Sequence, residues 1–190
     1  MPVSWSAPGW MKTSGSLIGG QLKAEHRGAL ARYFVRYLDA MEAAGLPVRY
    51  VSMQNEPAFE PADYPGMRVT AAERAAFFAG HLGPALAARN QKVGILDWDH
   101  NWDKPEEPLT VLADRAAAAQ VEGVAWHCYG GDPATMAQVK AMHPAKDLFL
   151  TECSGGDWAP DWGGTLQWMT DNLIIATIRA STNLGRFNNS

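Results

Sequence analysis

Two apolar runs that each close on a glutamate constrain this chain more than any other feature. They are Val51-Ser52-Met53-Gln54-Asn55-Glu56-Pro57 and Leu148-Phe149-Leu150-Thr151-Glu152-Cys153. Each has the length and apolar character of a buried strand. Side chains at the C-terminal ends of parallel strands gather at one rim of a barrel. Two such strands ending in Glu would bring two carboxyl groups to that rim. The glutamates stand 96 residues apart, which fits about three strand–helix units if eight units take ~250 residues.

The remaining pattern supplies those units. Val3 to Lys12 is strand-like and turns through Ala7-Pro8-Gly9. A helix follows from about Glu25 to Ala44, with Leu30, Tyr33, Phe34, Tyr37, Leu38 and Met41 on one apolar stripe. Gly45 and Pro47 end it, and Val48 to Met53 forms the next strand. Thr70 followed by Glu73 predicts a capped helix start, and Pro84 predicts a kink in that helix. Further strands are expected at Lys92–Asp97, Gly123–Cys128 and Asp147–Glu152. The helices between and after them are expected at Leu109–Ala119, Pro133–Met142 and Thr165–Thr182, the last ending near Asn183 and Gly185. Strands alternating with helices imply an α/β fold with a parallel sheet. Five strands fall short of the eight of a closed barrel, so the expected architecture is an incomplete (β/α)8 TIM barrel.

Composition narrows the partners. A net charge of −4 and a pI near 5.7 give no electrostatic case for nucleic acid or an anionic membrane. The longest apolar stretch, Leu173 to Ile178, is far below the ~18 residues of a spanning helix, so no stable membrane insertion is expected. The N-terminus lacks the basic and apolar regions of a signal peptide. Cys128 and Cys153 each lie at the end of a predicted strand; two buried free thiols are expected, with a bridge across neighbouring strands as the alternative. The eight tryptophans sit mostly at or just after strands. Two or three are expected to stack on a ligand and the others to pack the loop layer.

Hydrolysis of a glycosidic bond with retention needs two carboxyl groups, one to protonate the leaving oxygen and one to attack the sugar carbon. Asn55 sets an amide beside Glu56, able to bond a sugar hydroxyl, and Pro57 fixes the backbone after them. Glu152 is followed by Ser154-Gly155-Gly156, where glycine allows close approach of a ligand.

Five segments in order carry a family resemblance: Ser6-Ala7-Pro8-Gly9-Trp10-Met11-Lys12, Gln54-Asn55-Glu56-Pro57, Asp99-His100-Asn101-Trp102, Trp126-His127-Cys128-Tyr129 and Thr151-Glu152-Cys153-Ser154-Gly155-Gly156. The chain resembles glycoside hydrolase family 30, which includes glucosylceramidases and endo-β-1,6-glucanases. The resemblance implies Glu56 as acid/base and Glu152 as nucleophile, on strands four and seven of the family barrel. With those roles the acid needs its proton near neutrality, so burial or the Glu152 charge is expected to raise the pKa of Glu56, and hydrogen bonds from Tyr129 or His127 are expected to keep Glu152 ionised. It places Asn55 on the sugar 2-hydroxyl, Trp10 in the pocket wall from strand three, and Tyr129 and His127 beside the nucleophile. It implies a carbohydrate or glycolipid partner, a β-glucoside first and xylosides second, and no cofactor or metal. It also implies that residues 1–190 are a partial catalytic barrel. The first two strands, the last strand and a β-sandwich side domain would lie elsewhere in a secreted parent protein.

Three rivals are weighed against this. Asp97, Asp99, His100, His127, His143 and Glu152 could be imagined around a metal, but no histidine pair has a short metal-binding spacing. A non-catalytic carbohydrate-binding remnant of the same fold would use the tryptophans without turnover. A thiol nucleophile at Cys128 or Cys153 would lack the helix N-terminus that lowers a thiol pKa.

Overall fold

In the computed structural model, which describes residues 1–180, four parallel strands form one sheet in chain order. They are β1 (Tyr50–Ser52), β2 (Gly94–Asn101), β3 (Val121–His127) and β4 (Asp147–Glu152). Parallel neighbours need long crossovers, and helices supply them. Between β1 and β2 run α2 (Ala71–Phe77) and α3 (Gly83–Ala87); between β2 and β3, α4 (Glu106–Ala113) and α5 (Arg115–Ala118). The helix α6 (Ala134–Met142) joins β3 to β4, α1 (Arg27–Ala43) precedes the sheet, and α7 (Trp162–Met169) and α8 (Thr177–Ala180) follow it. The result is an arc of a (β/α)8 barrel, the fold class expected.

The fifth expected strand is reduced to a single parallel bridge, Val3 to Ser52. The segment still runs beside β1, with Ser52 N–H donating to Pro2 O at 3.2 Å and Asn55 N–H to Ser4 O at 2.7 Å. It turns away at Pro8, which has no N–H to continue a ladder. The cap at Thr70 forms as a full capping box with Glu73. The kink expected from Pro84 is spread over a wider π-type turn, Phe78–Leu82, immediately before α3. Phe77, Phe78, Leu82 and Leu86 are buried on its inner side. The single helix expected over 109–119 is two, because Asp114 leaves the helical backbone and caps α5 by accepting from Ala116 and Ala117 N–H. The last helix starts earlier than expected, at Trp162, capped by Asp161; its expected end near Asn183 and Gly185 lies outside the described residues. Tyr33 and Tyr37 of the α1 stripe are exposed, and the buried seam is narrower: Leu30, Ala31, Phe34 and Leu38.

Seven residues of β2 are buried on both faces, as parallel strands under helices are. Trp98, Trp102 and Trp126 pack fully inside, whereas Trp5, Trp10, Trp158, Trp162 and Trp168 are exposed. Arg74 reaches from α2 to Asp97 at 2.8 Å, both side chains buried, and to Glu107 at 3.1 Å. Its guanidinium lies 5.4 Å over the Trp98 ring. No helix among the described residues is long and apolar enough to cross a membrane.

The two cysteines are bonded to each other, which corrects the expectation of free thiols. His127 and Glu152 are partners across the β3–β4 ladder, so the next residue on each strand falls opposite the other. Cα atoms of Cys128 and Cys153 are 5.2 Å apart, inside the range a disulfide spans.

Candidate active site

Both glutamates arrive at the C-terminal rim of the sheet. Glu56 lies in the loop that leaves β1 and Glu152 is the last residue of β4. One oxygen of each carboxyl and a ring nitrogen of His127 lie within 4.8 Å of one another. The strands that carry them are not neighbours; β2 and β3 stand between.

Local backbone strain sets this geometry. Glu56, Trp98 and Asp99 adopt φ of +46°, +74° and +51°, conformations that non-glycine residues rarely hold. Asp99 is the extra residue of a bulge: Trp98 pairs with Ala125 and His100 with Trp126, leaving Asp99 without a partner on β3. Another bulge, on β4, extrudes Thr151, since Trp126 pairs with Leu150 and His127 with Glu152. Bulges turn side chains away from the regular alternation. Glu56 N–H donates to the backbone carbonyl of Asp99 at 3.0 Å, which ties the β1 loop to the β2 bulge.

His127, at the end of β3, is the centre of the polar network. Its Nδ1 lies 3.2 Å from Glu56 Oε1 and its Nε2 lies 3.2 Å from Asp99 Oδ1. Thr151 Oγ1 donates to the same Asp99 oxygen at 2.6 Å. Burial pushes the imidazole down, but the bonds to Asp99 and Glu56 and the Glu152 charge outweigh it and raise His127 to about 9. His100 is the opposite case. Its Nδ1 accepts from Asn101 N–H at 2.8 Å, and burial, opposed by Glu56, lowers its pKa. Glu56 therefore sits between a charged and a neutral histidine, the neutral one with its Nδ1 3.7 Å away.

The expected rise in the Glu56 pKa is not found. The hydrogen bond from His127 lowers it, and this outweighs the upward push of burial and of Asp99. Of the hydrogen bonds expected to reach Glu152, the one from His127 is not made, because its ring nitrogens face Glu56 and Asp99. The Tyr129 hydroxyl meets Ser154 Oγ at 3.0 Å and also engages the Glu152 carboxyl. Burial, joined by the Glu152 carboxylate, raises the Tyr129 phenol.

The other expected residues are placed unequally. Asn55 is buried at the rim, its Oδ1 without a hydrogen-bond partner. Tyr129 is partly exposed, with its ring edge toward His127 at 6.2 Å. Trp10 is 61% exposed on a short 3-10 turn, Gly9–Met11, and packs edgewise on His26 at 5.0 Å. No hydrogen bond or ring contact joins it to the two glutamates. Beside Glu152 opens a cavity of about 680 Å³, lined among others by Tyr129, Ser154, Trp158, Asp161, Trp168 and Met169. Sequence reasoning did not give Asp99 and Thr151 their place around His127. The signal available was Asp97-Trp98-Asp99-His100, charged residues within an otherwise apolar strand.

A rim of parallel strands holding two facing carboxyl groups is the layout of a barrel glycosidase site. The chain belongs to glycosyl hydrolase family 30: the model of that family's TIM-barrel domain matches residues 1–167. An endo-1,6-β-D-glucanase of Aspergillus fumigatus is 38% identical over 176 residues, covering 84% of this chain and 35% of the relative. The lysosomal acid glucosylceramidase of Mus musculus is 32% identical over 165 residues, 80% of this chain and 32% of the relative. Among solved structures, an endo-β1,6-glucanase superposes with a TM-score of 0.89 at 27% identity, covering 94% of this chain and 43% of that one. The chain thus spans about a third of the length of the curated relatives it matches.

Proposed function

We propose that this chain carries the reaction centre of a retaining β-glycoside hydrolase, with Glu56 as acid/base and Glu152 as nucleophile. The observation that carries the reading is the approach of the two carboxyl groups to within 4.8 Å from positions 96 residues apart in the chain. Retaining enzymes hold these groups about 5–5.5 Å apart, whereas inverting enzymes leave room for a water between them. Glu152 would attack the anomeric carbon as Glu56 protonates the departing oxygen. Water would then release the glycosyl group as Glu56 takes its proton. Asn55, buried with a free amide oxygen at the rim, would bond the sugar 2-hydroxyl, and Tyr129 and His127 would flank the reacting carbon. Trp10 would stack on a more distant part of the ligand.

A β-1,6-linked glucan is the first substrate choice, from the names of the relatives, and a glucosylceramide the second. The parent protein would supply the remaining barrel strands and act outside the cell. The test uses the full-length protein on β-1,6-glucan and on an activated aryl β-glucoside. Glu152→Gln should lower turnover by roughly four orders of magnitude or more, and proton NMR of the first product should show the β-anomer. Near-normal turnover in that variant would remove Glu152 as nucleophile. Glycan binding without release by the unmodified protein would favour a carbohydrate-binding role instead.

A further inference from the structure

The rim bulges at Asp99 on β2 and Thr151 on β4 converge beside His127. Each extrudes one residue, on strands that flank β3 from opposite sides, and the two extruded side chains meet at one oxygen: Thr151 Oγ1 donates to Asp99 Oδ1 at 2.6 Å. The same oxygen holds His127 Nε2, and the far side of that ring holds Glu56. An ionised carboxylate only accepts hydrogen bonds, so a ring set between two of them must donate from both nitrogens. Asp99 is buried and its other oxygen has no partner. A buried carboxylate with so little compensation needs a cation against it.

We propose that Asp99 and Thr151 are positioning residues that hold a proton on His127 beside Glu56, so that the acid is a Glu56–His127 pair sharing one mobile proton. This rests on the reading of Glu56 as acid/base. In the first step the His127 Nδ1–H bond breaks as an O–H bond forms on Glu56, and Glu56 passes its proton to the leaving oxygen. Glu56 is left ionised and His127 neutral, its Nε2–H still donating to Asp99. In the second step the attacking water gives a proton to Glu56, and the pair returns to its starting state. No other reactant is needed. The arrangement accounts for an acid whose own carboxyl is held ionised by its neighbour: the proton is stored one bond away, and interacting groups lose it as a pair. The groups facing His127 are Glu56 from the β1 loop, Asp99 and neutral His100 from β2, Tyr129 following β3, and Glu152 from β4.

The experiment uses the full-length protein labelled with 15N-histidine. His127 ring shifts are followed with pH beside the pH profile of kcat/KM on an alkyl β-glucoside, whose poor leaving group needs the acid. In the unmodified protein His127 should stay doubly protonated through neutral pH. Asp99→Asn should lower its midpoint by about a unit or more, since an opposite charge is lost. It should also move the alkaline limb of the profile acidward by the same amount, with kcat down about 10–100-fold and KM little changed. Thr151→Val should move both in the same direction by less, and Thr151→Ser should restore them. If Asp99→Asn does not fold, the Thr151 pair decides alone. A His127 that titrates at its ordinary value in the unmodified protein, or an alkaline limb indifferent to these substitutions, overturns the proposal. Glu56→Gln separates the underlying reading: equal losses on alkyl and activated aryl substrates would reject Glu56 as the acid, whatever His127 does.

Discussion

The flank of the site around Glu56 and the flank around Glu152 are built in opposite ways. Toward Glu56, β2 and β3 are almost wholly buried, Trp98 on β2, Trp126 on β3 and Trp102 just after β2 are fully inside, and a buried Arg74–Asp97 pair ties α2 to the sheet. Toward Glu152, every residue of β4 is only partly covered, α7 has no buried residue, and Trp158 and Trp162 stand about three-quarters exposed. β4 has one hydrogen-bonded neighbour in the sheet, β3, among the described residues. The Glu56 flank gives its charges a dry, largely buried surround, whereas the Glu152 flank leaves open apolar and polar surface around the cavity beside it.

If that division is right, substitutions on the two flanks should cost very different amounts. Arg74→Ala leaves Asp97 buried and unpaired, and should cost about 3–5 kcal/mol in urea unfolding. Replacing both Cys128 and Cys153 by Ser frees the junction between the flanks and should cost roughly 2–4 kcal/mol. A pH scan comes next. Because His127 is raised to about 9 in the fold from 6.5, its contribution is fully present below about 6.5 and is lost as pH rises through about 9. Glu56 is lowered from 4.5, so its contribution holds above that value and fades as pH falls below it. The urea midpoint should decline on both sides of that window, and His127→Gln should flatten the alkaline decline. On the open flank, Trp158→Ala should change stability by less than about 0.5 kcal/mol yet weaken glycan binding in calorimetry. A Trp158 cost equal to that of Arg74 would collapse the contrast.

The barrel arc was legible because its signals are local and periodic. The Thr70–Glu73 box, the glycine after α1, and the apolar runs of β1, β3 and β4 each announce their element within a few residues. The convergence of Glu56 and Glu152 followed from the two apolar runs that precede them and their spacing. What escaped was register. Nothing in the composition of Asp97-Trp98-Asp99-His100 says that Asp99 is the residue left out of the ladder, nor does Leu150-Thr151-Glu152 single out Thr151. Those slips depend on pairing with β3, a contact far away in sequence. The bonded cysteines follow from the same cause, the pairing of β3 with β4, and the lowered Glu56 depends on a contact equally distant in sequence, with His127 of β3 across β2. Val3 to Lys12 shows the reverse error, strand-like composition overruled by an early turn.

The sulfur–sulfur link sits one residue beyond His127 and one beyond Glu152, so it clamps the partly covered β4 to a buried interior strand at the very rim where chemistry is expected. That makes the site answerable to its surroundings. Made in an oxidising compartment, the rim would be locked; made in a thiol-rich cytosol, the same polypeptide would lack its clasp. A recombinant host chosen for yield alone could therefore deliver protein of the right mass whose β4 edge is loose, and a reductant added to the assay buffer could have the same effect.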